Sequence, residues 1–426
     1  MIYLILLAGL VLRLISLNQS LWLDEATSAL VAKMSITNIF IKFLPGDFHP
    51  PLYYLVLKYW SSIFGYSEVS LRLPSVIFGV ATVYLIYLIA IKIFNKQIAL
   101  ITAVLMATSG LAIYYSQEAR MYSLAAFLVT LAFYLFISKK WIFFSIVLLL
   151  IGATDYVALF VVPVFFIVGY KNWKKLLFSL APLCLGFFFW LPIFIRQLKA
   201  GASVSGSAWW NILGSASFKN IALIPIKFMF GRVSLDNKVV YGMVVVLVAL
   251  LFGHLLFKAR KASRILWGWL IIPIVVGILV SFKIPTLSYF RFLFCLPAFY
   301  ILIASSKAPK YLIYLVLLVN LVSSFYYLLT PKFQRENWRS AAVTIGEGKI
   351  VLPADSQKEA LIYYGKENQI IPVGKLSKND REVWLSRYVW EIFDPLDLVR
   401  KKLETLGYNK VQEDNFNGVM FWKYAK

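Results

Sequence analysis

Eleven apolar runs dominate the first 330 residues, and a chain built this way has few folds open to it. They lie at about 1–17, 70–93, 98–114, 121–137, 141–153, 156–170, 176–195, 239–257, 265–282, 290–306 and 311–329. A helix needs roughly 17–25 apolar residues to cross a bilayer. Several runs sit near the lower end of that range, and the pair flanking Thr154-Asp155 is shorter still. The chain is 61% hydrophobic and only 15% charged, against about 45–50% and 25% in a soluble domain. This predicts a polytopic α-helical membrane protein of about eleven transmembrane helices. The start lacks a basic stretch and a small-residue cleavage site, so a retained first helix is expected rather than a removed signal.

Charge distribution narrows the reading. The net charge of +23 would suit a nucleic-acid binder, but residues 1–330 hold 27 Lys/Arg against 7 Asp/Glu, while 331–426 hold 16 against 13. The surplus therefore belongs to the membrane part. With the N-terminus cytoplasmic, the short inner connections carry Lys92 and Lys96; Lys139 and Lys140; Lys171, Lys174 and Lys175; Lys258, Arg260, Lys261 and Arg264; Lys307 and Lys310. Such a Lys/Arg bias sets orientation. All seven acids before residue 331 (Asp24, Glu25, Asp47, Glu68, Glu118, Asp155, Asp236) then fall outside the cell membrane, as does the C-terminal region. Cys184 and Cys295 both lie in apolar runs, so neither a disulfide framework nor a metal cluster is indicated.

Two outer loops exceed simple turns. The first, 18–69, holds amphipathic stretches at Ala26–Leu44 and Leu52–Phe64, expected to lie in the membrane plane with Tyr53, Tyr54 and Trp60 at the interface. The second, about 196–238, opens with a small-residue piece (Gly201 to Ser207) and Trp209-Trp210; a lid and a plain connection are equally open readings. From Pro331 the chain reads as a soluble extracytoplasmic α/β domain (331–426) following a 1–330 membrane domain. Its expected elements are a strand at Lys349–Leu352, a helix opened by a Ser356/Glu359 capping box and ending near Gly365, and strands at Gln369–Val373 and Glu382–Val389. A helix started by Asp394-Pro395 and a closing strand at Val419–Tyr424 complete it.

Three outer motifs bear chemistry-capable side chains. Leu21-Trp22-Leu23-Asp24-Glu25-Ala26-Thr27-Ser28 places two carboxylates after the first apolar run, where a solvated helix terminus is the plain alternative. Asp47-Phe48-His49-Pro50-Pro51-Leu52-Tyr53-Tyr54 holds one of two histidines, aimed by paired prolines; the bland reading is a rigid turn. His254, at a cytoplasmic span end, reads as structural. Tyr114-Tyr115-Ser116-Gln117-Glu118-Ala119-Arg120-Met121-Tyr122 is a polar break between spans, whose simpler reading is a hairpin with a Glu/Arg pair.

In order and spacing, LWLDEATSA, DFHPPLYYLVLKYW…SEVSLRLPSVIFG and IYYSQEARMYSL resemble membrane glycosyltransferases of the GT-C fold that use polyprenyl-phosphate sugars. The branch they are most similar to is the bacterial relatives of dolichyl-phosphate-mannose protein mannosyltransferases (glycosyltransferase family 39). The likeness covers about 1–330 and extends to Tyr289-Phe290-Arg291-Phe292-Leu293 before Pro297, and to Gln334–Ala341. It implies an inverting transfer from a polyprenyl-phosphate donor to an acceptor hydroxyl. Asp24 would be the base, with Glu25 second. His49, Arg72, Arg120 and Arg291 would face the donor phosphate, Arg291 first among them, and Tyr289 lies in the same matching segment. Glu118 would orient Arg120 or, in a metal-using variant, help hold a divalent cation. The carboxylates show no metal-ligand spacing, so no cofactor is expected. The partners implied are the donor lipid, the membrane and an acceptor of open identity: protein, lipid or envelope polymer. Where many relatives carry a histidine-bearing segment this chain has Thr154-Asp155-Tyr156, so a substrate role there is not implied. Two other classes stay open, a lipid-linked-sugar flippase and a non-catalytic envelope scaffold. The carboxylates cluster at one surface and no repeat is apparent, which favours the enzyme over the flippase.

Overall fold

Backbone amides inside a bilayer have no water to bond, so apolar runs of this kind close their hydrogen bonds within helices. The computed structural model describes residues 1–202, 210, 214–376 and 380–426; most of the 201–210 stretch with its lid reading lies outside them. The chain forms two units. One comprises Met1–Ile15, Ser35–Val56 and Arg72–Leu329; the other comprises Ser16–Met34, Leu57–Leu71 and Thr330–Lys426.

Among the described residues of the chain, four helices are long and apolar enough to cross a membrane: Glu68–Ile93, the run Tyr170–Ala202, Lys238–Lys258 and Lys310–Leu329. A fifth arises if Lys96–Ala107 and Gly110–Ser116, bent by 59° against each other, count as one span. The remaining apolar runs form helices of 10–17 residues: Ile2–Leu14, Tyr122–Ile137, Trp141–Gly152, Val157–Val168, Arg264–Val280 and Tyr289–Ala304. The fold is thus a polytopic helical membrane protein, in which four or five of the described helices reach full crossing length on their own.

The bend at Thr108-Ser109 is the best-built feature of the first unit. Breaking a helix leaves carbonyls without their usual partners, at a cost of about 1–3 kcal/mol each when buried. Here neighbouring elements supply donors. Asn320 Nδ2 donates to Leu105 O at 3.0 Å, Arg13 to Met106 O at 3.4 Å and to Ala107 O at 3.0 Å, and Ser324 Oγ to Thr108 O at 2.7 Å. Ser109 caps the second half by accepting from Ala112 N. Arg13, fully buried on the first helix, also donates to Gly9 O at 2.8 Å and to Ser116 Oγ at 3.1 Å. Gly231 (φ +66°) lets the chain approach the second half, since a Cβ there would lie 2.9 Å from the Gly110 carbonyl carbon.

In the second unit a four-stranded sheet runs in the order β1-β2-β4-β3, with β1 Lys349–Val351, β2 Glu382–Ser386, β3 Asn409–Phe416 and β4 Val419–Ala425. β1 and β2 are parallel, pairing Ile350 with Trp384; β4 lies antiparallel to both β2 and β3. Val351, Val383, Leu385, Leu403, Tyr408 and Tyr424 form its core. Several expectations are corrected here. Ser356 does not cap a helix: it lies in a 3-10 turn, Asp355–Gln357, and the helix is Lys358–Tyr363 with Gln357 at its N-cap. Gln369–Val373 is not a strand, because Pro372 has no N–H to donate and only Ile370 bridges to Ile350. The strand from Glu382 stops at Ser386, and Val389 takes φ +46°. The helix expected from Asp394 begins at Leu398, although the Asp394 carboxylate still caps it by accepting from Leu398 N and Val399 N at 2.8 Å. In the 18–69 segment, Leu52–Phe64 is a helix as expected. Ala26–Leu44 is not continuous: the helix Leu23–Lys33 ends, Ser35 caps a new turn, and Pro45 enters a 3-10 turn.

Candidate active site

Pro50 and Pro51 set the backbone that enters the helix Leu52–Phe64, and Leu52 N donates to Ala153 O at 2.9 Å. This ties the His49 segment to the Thr154-Asp155 turn. Tyr54 OH donates to Asp47 Oδ2 at 2.7 Å, and His49 Nδ1 lies 3.4 Å from Asp47 Oδ1. Burial works against ionisation of Asp47, but the charge and hydrogen bond of His49, the charge of Arg120 and the Tyr54 hydroxyl outweigh it and hold the carboxyl at about 2. Gln197, on the helix Trp173–Ala202, donates to Leu44 O at 2.8 Å and His49 O at 3.1 Å. Its carbonyl accepts from Tyr156 OH at 2.6 Å, which in turn accepts from Trp190 Nε1 at 2.6 Å. His49 is therefore fixed through side chain and backbone alike.

Asp155 is buried and accepts from Val157 N at 2.8 Å. Burial raises its pKa, opposed by His49, the Val157 amide, Arg291 and Arg120. The charges of three residues expected at the site thus act on one carboxylate that the sequence left without a role. Arg291 lies in the 3-10 segment Tyr289–Cys295 and donates one Nη1–H to Pro285 O at 2.8 Å. The backbone of Arg120 is held by Ser75 Oγ, which donates to its carbonyl at 3.4 Å and pairs with Tyr53 OH at 3.2 Å.

A second group adjoins the Tyr114–Tyr122 break. Arg232 donates to Tyr114 OH at 2.8 Å with its guanidinium over the Tyr114 ring. Burial would weaken its charge, but the electrostatic influence of Tyr289, Tyr115, Glu118 and Tyr327 outweighs it and raises its pKa. Phe290 packs on Tyr115 and Tyr122. Gln117 anchors the break, donating to Arg13 O at 3.1 Å and Ile15 O at 2.7 Å and accepting from Tyr327 OH at 2.8 Å. Glu118, Arg120 and Arg72 are all buried, the last on the helix Glu68–Ile93.

Asp24 and Glu25 belong to the second unit. They occupy the first turn of the helix Leu23–Lys33, where negative charge complements the helix dipole. Glu25 is fully buried. The helix Lys358–Tyr363 packs on this one. Burial raises the Glu359 pKa there; its backbone hydrogen bond and Lys358 oppose the rise, while Asp24 and Asp355 add to it.

Of the expected site residues, His49, Arg291 and Arg120 influence Asp155 by their charge, and Tyr289 and Glu118 influence Arg232. Asp47, Asp155, Gln197 and Arg232 were missed as site residues. Asp47 had a signal, a carboxylate two residues before the histidine. Asp155 had only its place among the seven outer acids, and Gln197 and Arg232 had none.

Residues 48–197 match the family model of dolichyl-phosphate-mannose-protein mannosyltransferases. A sequence search of curated proteins found no match. Among solved structures, the chain is similar to ArnT from Cupriavidus metallidurans in the apo state, with TM-score 0.56, 12% identity, and coverage of 99% of this chain and 97% of that one. The same ArnT bound to undecaprenyl phosphate gives a TM-score of 0.54 at 12% identity, with the same coverage. The apo oligosaccharyltransferase of Archaeoglobus fulgidus gives 0.51 at 13% identity, covering 87% of this chain and 64% of that one. The chain shares the GT-C fold of these proteins.

Proposed function

We propose that this chain, a multi-pass membrane protein of the GT-C fold, is an inverting glycosyltransferase moving a sugar from a polyprenyl phosphate to an acceptor hydroxyl on the outer face of the membrane. The observation that carries this reading is the built segment around His49, held by Asp47 and Gln197 and tied by Leu52 N to the turn before buried Asp155, within or beside the stretch that matches the mannosyltransferase family. The charges of His49, Arg291 and Arg120 act on that aspartate. Fixed cations in a site screened from water stabilise a phosphate leaving group far better than they would in bulk solvent. A fold neighbour that binds undecaprenyl phosphate supports the same donor class.

In the reaction, a carboxylate takes the proton of the acceptor hydroxyl as its oxygen attacks the anomeric carbon. The bond from that carbon to the phosphate oxygen breaks, and the lipid phosphate leaves as an anion held by arginines, so no acid and no metal is needed. Arg291 and Arg120 suit this by their planar fork; Arg72, on the helix Glu68–Ile93, and Glu118 are the further candidates. Asp47 keeps His49 oriented; a carboxyl held at about 2 is too weak a base for the proton transfer. Asp24 is the base in this reading, with Glu25 beside it in sequence. Asp155 is the second reading, favoured by its raised pKa among the cations. The proposed arrangement has the 1–330 part in the membrane, the N-terminus inside and the 331–426 module outside.

The test presents purified protein with a panel of polyprenyl-phosphate sugars. Asp24→Asn should abolish transfer while donor binding persists. Full transfer by this variant together with loss in Asp155→Asn would move the base to Asp155. Consumption of no donor, with and without a divalent cation, would overturn the reading and leave the flippase or scaffold alternatives.

A further inference from the structure

The C-terminal module makes an unusually dense set of bonds to the four residues that lead into the Asp24 helix. Arg335 N donates to Gln19 Oε1 at 2.8 Å, and Arg339 N donates to Ser20 Oγ at 3.0 Å. Arg339 Nη2 reaches Asn18 O at 2.8 Å. Tyr364 OH accepts from Leu21 N at 2.9 Å, pairs with Ser20 Oγ at 3.1 Å and donates to Glu68 Oε1 at 3.2 Å. A phenol has one donor and two acceptor positions, and all three are used on this segment and its support. Glu68 Oε1 also takes Arg339 Nη2 at 2.6 Å and Nε at 3.1 Å.

The neighbouring residue holds the other end of the same helix. Tyr363 OH donates to Tyr66 O at 2.8 Å, and the Lys33 ammonium sits over the rings of Tyr66 and Tyr363 at 5.3 and 5.8 Å. Lys58 Nζ donates to Met34 O at 2.6 Å just past the last turn. Leu21 N lies one residue before Trp22, the N-cap of Leu23–Lys33, whose first turn holds Asp24 and Glu25. A shift of the 18–21 strap would therefore move both carboxylates.

From this geometry we infer that the C-terminal module clamps the Asp24–Glu25 segment, with Tyr364, Arg339 and Glu68 as positioning residues for the carboxylates rather than parts of a separate domain. The inference rests on the glycosyltransferase reading for its catalytic consequence, but not for the clamp itself. A base mispositioned by about 1 Å loses on the order of 100-fold in rate. Loss of one positioning hydrogen bond is expected to cost on the order of tenfold, or about 1.4 kcal/mol of barrier.

The experiment uses the full-length protein in detergent. Tyr364→Phe keeps the ring and removes the hydroxyl; Glu68→Gln weakens the arginine pair; Arg339→Lys keeps charge but loses the fork. Each should lower kcat about tenfold with donor KM within twofold, and hydrogen exchange at the 18–25 amides should accelerate. Arg400→Ala, on an exposed pair with Glu404, should change neither. Wild-type kcat in both Tyr364→Phe and Glu68→Gln, with Asp24→Asn inactive, overturns the positioning role and leaves the base assignment standing. If Asp24→Asn is active, the base assignment fails, and exchange alone decides the clamp: unchanged protection of 18–25 in Tyr364→Phe overturns it, faster exchange upholds it.

Discussion

Replacing Asp47 with Asn tests whether the acid beside His49 is held as an anion. Its carboxyl, ordinarily at 3.8, lies at about 2 in the fold. A folded pKa depressed by this much contributes about 2 kcal/mol at neutral pH, an order-of-magnitude figure. The sign follows from linkage: the contribution is present above the unfolded pKa and is lost as pH falls through the folded one. It should therefore persist down to about pH 4, fall to about 1 kcal/mol near pH 3 and be nearly gone by about pH 2. The Asn side chain still accepts from Tyr54 but offers His49 no charge. Thermal unfolding of both proteins in detergent, followed by intrinsic fluorescence from pH 7 to pH 2.5, should show Asp47→Asn melting a few degrees lower at neutral pH. The gap should then close in acid. A gap that stays constant to pH 3, or a variant as stable as wild type at pH 7, would refute the reasoning. His49 would then be positioned by Gln197 and the backbone alone.

Three further outcomes follow from the geometry. Gly79→Ala would put a Cβ 2.1 Å from Ser116 Oγ and 3.2 Å from Arg13 Nε; overpacking of this kind costs about 1–3 kcal/mol, and an unchanged melting temperature would contradict the contact. Arg291→Lys should raise donor KM by about tenfold or more, because a point charge replaces a bidentate fork; initial rates against donor concentration decide it. Asn320→Leu removes the donor to Leu105 O and the acceptor for Tyr300 OH, and should cost about 1–3 kcal/mol in thermal unfolding, whereas no loss would mean the bend has another source of support.

Much of the fold was legible because a bilayer demands long apolar runs, and those runs are written plainly in the chain. The 59° bend at Thr108-Ser109 was not, since its cause is donors on Arg13, Asn320 and Ser324, each far away in sequence. The strand Asn409–Phe416 escaped notice because it is mostly exposed and so lacks the alternation that a half-buried strand shows. Gln369–Val373 shows the opposite failure: apolar composition suggested a strand that Pro372 forbids. At the candidate site, the motif around His49 stands out in the sequence, yet its neighbours Asp155 and Gln197 are legible only once helices 141–152 and 173–202 are folded beside it. The role of the C-terminal module was the least visible, because Tyr364 and Arg339 look like ordinary surface residues until their partners at 18–21 are known.

Arg13 carries a consequence for biogenesis. The first helix leaves the ribosome with an arginine in its last turn, a position that costs less on insertion than the roughly 2.5–3.5 kcal/mol of a charge at a span's centre but that ends up fully buried. The Ala107 carbonyl that receives it lies 94 residues downstream, which at about 5–20 residues per second is on the order of 5–20 s of synthesis. Until the helix Lys96–Ala107 arrives, Arg13 has the Gly9 carbonyl of its own helix but not the distant acceptors Met106 O, Ala107 O and Ser116 Oγ. A nascent chain arrested before residue 96 should therefore be extractable from membranes more readily than one arrested after residue 137.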